Sequence, residues 1–194
     1  MSGNAVAPKR KTDVRVVRRR DMLGDALVEL MVEKPFDEIT VQDVLDRAKV
    51  SRSTFYAHYR DKDDLFLSDV EDFFEKASTV LTRRREQSMR VAPVRELFEH
   101  LAEAQDFYAS LVSSGKIHDV FELGQGIFAR GIQQRMMEVQ EDSPPYIAAV
   151  AFAHAGALFA LLTWWIDHGM APAPEEMDVV FHRMVWPMQS EAVR

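Results

Sequence analysis

The stretch Ile39–Leu65, ITVQDVLDRAKVSRSTFYAHYRDKDDL, decides how the rest of the chain is read. It spells a short helix, a tight turn and a second short helix. Thr40 is a helix-capping residue, and Asp43 stands three positions on, where its side chain can reach back to the cap. Val41, Val44, Leu45 and Ala48 recur along one face at helical spacing. Ser51 is placed to cap the second helix, in which Phe55 and Tyr59, four residues apart, share a buried side. Arg52, Ser53, Thr54, Tyr56, Ala57 and His58 are then left to spread around the remaining surface.

Those side chains suit the major groove of double-stranded DNA. Arg52, at the start of the second helix, can donate two parallel hydrogen bonds to a guanine edge, and Ala57 can meet a thymine methyl. Thr54 and Tyr56 can bond phosphates or bases, and His58 and Lys62 are expected to anchor the backbone. Ser53, together with Thr40 at the head of the first helix, completes the expected DNA-binding set. A helix pair of this length fits the helix-turn-helix motif, whose second helix lies in the groove.

The segment from about Arg15 to Val70 resembles the DNA-binding domain of TetR-family transcriptional regulators. The resemblance rests on Leu23, Ala26, Leu27, Leu30 and Met31 in a first helix, then Phe36, Thr40, Val41, Val44 and Ala48, then Val50, Ser51, Ser53, Thr54, Phe55, Tyr56, His58, Tyr59, Lys62 and Leu65. Pro35 and Lys49 stand where glycines are commonest in that family. A lysine in the left-handed region carries some strain, and a proline cannot adopt it at all. Farther on, Tyr146–Met177, with Gly156, Trp164, Trp165, His168, Gly169 and Met170, is similar to a regulator branch related to activators of dihydroxyacetone kinase genes.

Composition agrees with a folded helical protein. The chain has 194 residues, 47% of them apolar and 28% charged, enough to bury a core. Cysteine is absent, which excludes disulfides and thiolate metal sites. No run of about 18 apolar residues free of charge is read along the chain, and the first residues do not read as a signal peptide, so the expectation is a cytoplasmic protein with no membrane partner. The net charge of -7 is unevenly spread: residues 1–60 hold 12 Lys and Arg against 9 Asp and Glu, and residues 61–194 hold 12 against 22. Lys9, Arg10, Lys11, Arg15, Arg18, Arg19 and Arg20 concentrate the basic charge at the start, where a tail or helix face could lie on phosphates. The acidic remainder would be repelled by DNA and favour one docking orientation.

The expected fold is all-α, with about nine helices and three segments: a flexible basic arm over 1–13, a helix-turn-helix domain over 14–61, and a helical ligand-binding and dimerisation domain over 62–194. A first helix ends at Pro35, and a fourth runs from about Lys62 to Gln87. Pro93 opens a fifth that ends before Ser113, and the segment Lys116–Gln140 is expected to be interrupted near Gly124 and Gly126. A long alanine-rich helix follows Pro145 and ends near His168, and a last one ends near Glu191. The alanine-rich helix is the expected self-association element, with Ile147, Val150, Ala151, Leu158, Leu162 and Trp165 in the contact. The family resemblance implies that such helices pair with their copies in a homodimer, which would read a palindromic operator. Phe98, Phe107, Tyr108, Phe121, Phe128 and Trp164 are the candidate lining of an apolar effector pocket.

Enzyme chemistry finds little support. Glu96 with His100 and His118 with Glu122 share helix faces, yet neither pair has a third metal ligand in evident reach. Ser113–Lys116 resembles the end of a phosphate loop but lacks its leading glycine, and neither a nucleophile elbow nor a cysteine nucleophile is present. The expectation is a non-enzymatic, cofactor-free transcriptional regulator, most simply a repressor released by a small molecule. The same fold could instead activate transcription, or serve as a ligand-binding or interaction module that does not bind DNA.

Overall fold

The structure is a computed structural model that describes residues 9–139 and 146–186, and all regular secondary structure among the described residues is helical. The chain divides into two compact units, the first ending at Asp69 and the second beginning at Val70.

The first unit contains α1 (Lys9–Glu33), a 3-10 turn (Phe36–Glu38), α2 (Val41–Ala48), α3 (Arg52–Tyr56) and the opening of α4 (Lys62–Ser78). Its core is built from Leu23, Leu27, Met31, Phe36, Ile39, Val44, Phe55 and Leu65, all buried. Burial of each such side chain is worth about 1.5–3 kcal/mol. Phe66 packs on Phe36 with ring centroids 5.5 Å apart, so the first turns of α4 belong to this unit and the boundary falls inside the helix, later than the expected 61/62. The basic arm also differs from expectation. Helix α1 already begins at Lys9, because Lys and Arg are good helix formers. Residues 1–8 of the arm lie outside the described residues.

The second unit continues α4 and adds α5 (Val80–Arg83), α6 (Val94–Glu103), α7 (Gln105–Ser113), α8 (Ile117–Val139), α9 (Ile147–Asp167) and α10 (Pro174–Val185). The expected fourth helix is broken at Thr79, whose hydroxyl bonds back to Glu75 O at 2.8 Å. The expected fifth is broken at Ala104, which has φ -108° and ψ 33°. Conversely, α8 is continuous through Gly124 and Gly126. Gly124 is needed there for close approach: a Cβ would meet Phe159 Cζ at 2.5 Å and Phe74 Cζ at 2.7 Å. These rings belong to a cluster in which Phe74, Phe121 and Phe128 all meet Phe159 edge-on, at centroid distances of 5.5–5.8 Å.

The segment between α5 and α6 is held by side chains from distant helices. The buried Arg135 guanidinium of α8 donates to the carbonyls of Glu86, Ser88 and Arg90 at 2.7–3.0 Å. Arg90 pairs with Glu96 and Asp178, and the Val91 N–H donates to His182 Nε2 at 3.0 Å. This fastens α10 to the start of α6. The Arg90 guanidinium, outweighing the effect of burial, keeps the Glu96 carboxyl below the usual range. Asp178, although burial raises it, is also held below the usual range, by His182 first and then by Arg90.

Helix α9 overturns the reading that no long uncharged apolar run exists. It is long and apolar enough to cross a bilayer by length and composition alone, although most of it is not buried within the chain. Ala151, Ala155, Leu158, Phe159, Leu162 and Trp165 pack inward. The opposite side, with Ala149, Phe152, Ala153, Ala160, Thr163 and Trp164, is exposed. A core helix with a second apolar face passes the same test as a membrane span.

Candidate nucleic-acid interface

The two short helices of the first unit are capped as their sequence requires. The Thr40 hydroxyl accepts from Asp43 N at 3.1 Å, while Asp43 Oδ2 accepts from Thr40 N at 2.8 Å. Lys34 closes on the same carboxylate at 2.8 Å. Its ammonium, with the Thr40 donors, holds the Asp43 carboxyl well below the usual carboxylate range. Thr40 is therefore occupied as a cap, with its side chain exposed beside α2.

The turn after α2 is made by Lys49, at φ 55° and ψ 41°, and its N–H donates to Leu45 O. This is the left-handed conformation that favours glycine, so a lysine here carries strain of about 1–2 kcal/mol. Pro35 has φ -53° and stays within the ordinary region, so the first departure from the family's glycines needs no left-handed residue.

Ser51 caps α3, accepting from Thr54 N at 3.3 Å, and its hydroxyl lies 2.8 Å from that of Thr54 and 3.1 Å from that of Ser53. Phe55 and Tyr59 are buried, and Arg20 Nε donates to the Tyr59 hydroxyl at 3.1 Å. With those two rings turned inward, Arg52, Ser53, Tyr56, Ala57 and His58 are exposed, and Thr54 is half-buried. Tyr56 leaves 52% of its surface open, unusual for so large a ring. The helix itself is only Arg52–Tyr56; Ala57 and His58 follow in the succeeding turn. Gln42, not among the expected residues, is also exposed and accepts from Arg52 Nη2 at 2.9 Å. Its place beside the cap of α2, off the apolar face, was the signal available in the sequence.

Lys62 departs from its expected role. Its ammonium donates to the carbonyls of Phe36, Ile39 and Asp37 at 2.6, 2.8 and 3.2 Å and lies 4.6 Å from the centre of the Phe36 ring. It ties the start of α4 to the 3-10 turn rather than offering a free cation to phosphate. Lys62→Met leaves those carbonyls without their charged donor and is expected to cost about 1–3 kcal/mol of stability. Chemical denaturation reads this as a lower midpoint; an unchanged midpoint would mean that the ammonium does not hold the turn.

The expected residues of the second unit also redistribute. Ala151, Leu158, Leu162 and Trp165 are buried in their own unit and cannot form a self-association face. Ile147 and Val150 are half-buried at its margin. The large apolar residues left exposed on the last two helices are instead Phe152 (57%) and Trp164 (45%) on α9, with Val179, Val180 and Met184 on α10.

Of the expected effector residues, Phe98, Tyr108 and Phe128 are buried core, Phe107 and Phe121 are half-buried, and Trp164 is exposed and stacked on His168 at 4.3 Å. None lines the cleft between α4 and α6 of the second unit. That cleft has about 250 Å³ of space and is walled by Phe73, Ala77, Val80 and Leu97, with Lys76 and His100 also in its lining. His100 stacks on Phe73 at 4.5 Å, and burial pushes its imidazole pKa down. Phe98, Tyr108 and Phe128 went to the core, and the cleft is lined by a stacked Phe73–His100 pair, aliphatic groups and the charged Lys76, Arg84 and Glu96.

A capped helix-turn-helix followed by a separate, larger helical unit is the build of a helix-turn-helix transcriptional regulator. Residues 23–68 match the family described as bacterial regulatory proteins, tetR family, and residues 93–186 match a transcriptional regulator C-terminal region. The chain belongs to the TetR family of transcriptional regulators. It is 22% identical over 184 residues to the uncharacterized HTH-type transcriptional regulator YxbF of Bacillus subtilis, covering 86% of this chain and 43% of that protein. It is 23% identical over 93 residues to the biofilm operon icaADBC negative transcriptional regulator IcaR of Staphylococcus epidermidis, covering 47% of this chain and 50% of that one. The chain spans about half the length of the curated relatives it matches. Among solved structures, the dihydroxyacetone kinase operon activator DhaS shares the fold with a TM-score of 0.65 and 17% identity, over 88% of this chain and 96% of that one.

Proposed function

We propose that the protein is a homodimeric repressor that binds a palindromic operator in double-stranded DNA and is released by a small-molecule effector in the cytoplasm. The observation that carries DNA reading is the exposure of Arg52, Ser53, Tyr56, Ala57 and His58 beside two buried rings that fix the recognition segment. Side chains with that donor and apolar mixture match base edges and phosphates in a major groove. The apolar residues left open on α9 and α10 support self-association, and a twofold dimer presents two such segments to two half-sites. The cleft beside Phe73 and Leu97 is the place for an effector, which can alter operator affinity only by binding the DNA-competent and incompetent arrangements unequally. IcaR, a negative regulator, favours the repressing sign; DhaS, an activator, favours the alternative of activation within the same fold. A reporter whose output rises when the protein is supplied would decide for activation.

Selection of bound duplexes from a random DNA pool tests the reading. The expected product is a near-palindromic motif whose binding weakens steeply with salt. Arg52→Ala is expected to weaken it about 30-fold or more, as for loss of one two-bond contact worth about 1–3 kcal/mol in each half of the dimer, and to relax the preference at one base pair of each half-site. Enrichment of no duplex by the intact protein would instead favour a helical interaction module that does not read DNA.

A further inference from the structure

On α2, Gln42 Nε2 donates to Asp46 Oδ1 at 2.8 Å, and Gln42 Oε1 accepts from Arg52 Nη2 of α3 at 2.9 Å. Asp46 lies one helical turn after Gln42, the spacing at which such side chains meet. A carboxylate can take only the donor end of an amide, so Asp46 sets which way round the Gln42 amide stands and leaves Oε1 for the guanidinium. The guanidinium carries five N–H groups. The bond to Gln42 occupies one and leaves enough for a parallel pair to a guanine edge.

We propose that Gln42 is a specificity-determining positioning residue, and that the Asp46, Gln42 and Arg52 chain holds the reading guanidinium in place before DNA arrives. This inference deepens the DNA-binding reading above and rests on it. Arginine is long and rich in rotamers, and ordering such a side chain at an interface normally costs affinity. A neutral amide restrains it without cancelling its charge. A carboxylate in the same place would form an ion pair with the guanidinium and compete with the DNA for it. The chain therefore uses an anion to orient an amide and an amide to hold the cation, so that Arg52 keeps its full charge for the operator.

The test is a double-mutant cycle on the operator selected by the wild-type protein, with full-length chains and binding measured at one fixed salt concentration. Gln42→Ala is expected to weaken operator binding roughly fivefold to 150-fold, the range for one freed side chain in each protomer of the dimer, and to reduce discrimination at the base pair that Arg52→Ala also relaxes. In an Arg52→Ala background, Gln42→Ala is expected to change nothing further. Gln42→Glu, of nearly the same shape, is expected to weaken binding more than Gln42→Ala. Equal losses in both backgrounds would overturn the inference, since Gln42 would then touch DNA or support the fold independently of Arg52. Wild-type binding in Gln42→Ala would overturn it as well while leaving the DNA-binding reading intact. Failure of the wild-type protein to select any duplex is the separate result that removes the DNA reading itself, and this inference with it.

Discussion

Gly124→Val is expected to cost the second unit more than about 3 kcal/mol and to abolish its cooperative unfolding transition, whereas Gly126→Ala, two positions along the same helix, is expected to stabilise it by up to about 1 kcal/mol. The contrast isolates packing from helix propensity. Both positions are helical in α8, and replacing either glycine restricts the unfolded backbone. At Gly126 an added Cβ meets nothing within 4 Å, so the propensity gain stands alone. At Gly124 even the Cβ falls 2.5 Å from Phe159 Cζ and 2.7 Å from Phe74 Cζ, far inside van der Waals contact. Neither ring can simply withdraw: both are buried, their centroids are 5.8 Å apart, and each also meets Phe128. Gly124→Ala is the milder case, with a loss of about 1–2 kcal/mol after its propensity gain is set against overpacking. Chemical denaturation followed by tryptophan fluorescence reads all three variants. Shifts of the same sign for Gly124→Ala and Gly126→Ala would show that the rings give way and that this contact does not organise the core.

Ala160→Arg is expected to turn a dimer into a monomer and to reduce operator binding by more than about 100-fold. Ala160 lies at the centre of the exposed side of α9, between Phe152 and Trp164. Small side chains there let a partner helix approach closely, and the larger rings supply area to bury. An arginine at the centre would hold the faces apart or place a charge in an apolar contact without a partner, a cost of several kcal/mol. A monomer engages one half-site and loses the second set of base contacts. Sedimentation equilibrium gives the oligomeric state, and titration of the selected duplex gives the affinity. A wild-type chain that sediments as a monomer at micromolar concentration, or a variant that remains dimeric, would remove this face from the account of self-association.

The helix-turn-helix was legible because its signals are local. Caps at Thr40 and Ser51, and the spacing that turns Phe55 and Tyr59 inward, involve residues within a few positions of one another, and the structure repeats them as hydrogen bonds and burial. The chain by itself therefore determined the motif, the all-helical class and the exposed set around Arg52. It did not disclose Lys62, because the carbonyls of Phe36, Asp37 and Ile39 lie more than twenty residues back along the chain. Gln42 shows the same limit: its bond to Arg52 depends on how α2 and α3 cross. In the second unit, α9 is apolar nearly all round, and periodicity cannot choose the inner face of a helix that has no polar face. Tertiary packing made that choice, sending Leu158, Leu162 and Trp165 to the core and leaving Phe152 and Trp164 outside. It also decided that Gly124 is a contact point rather than a helix break, since what an absent side chain makes room for is known only once Phe74 and Phe159 have been brought against it.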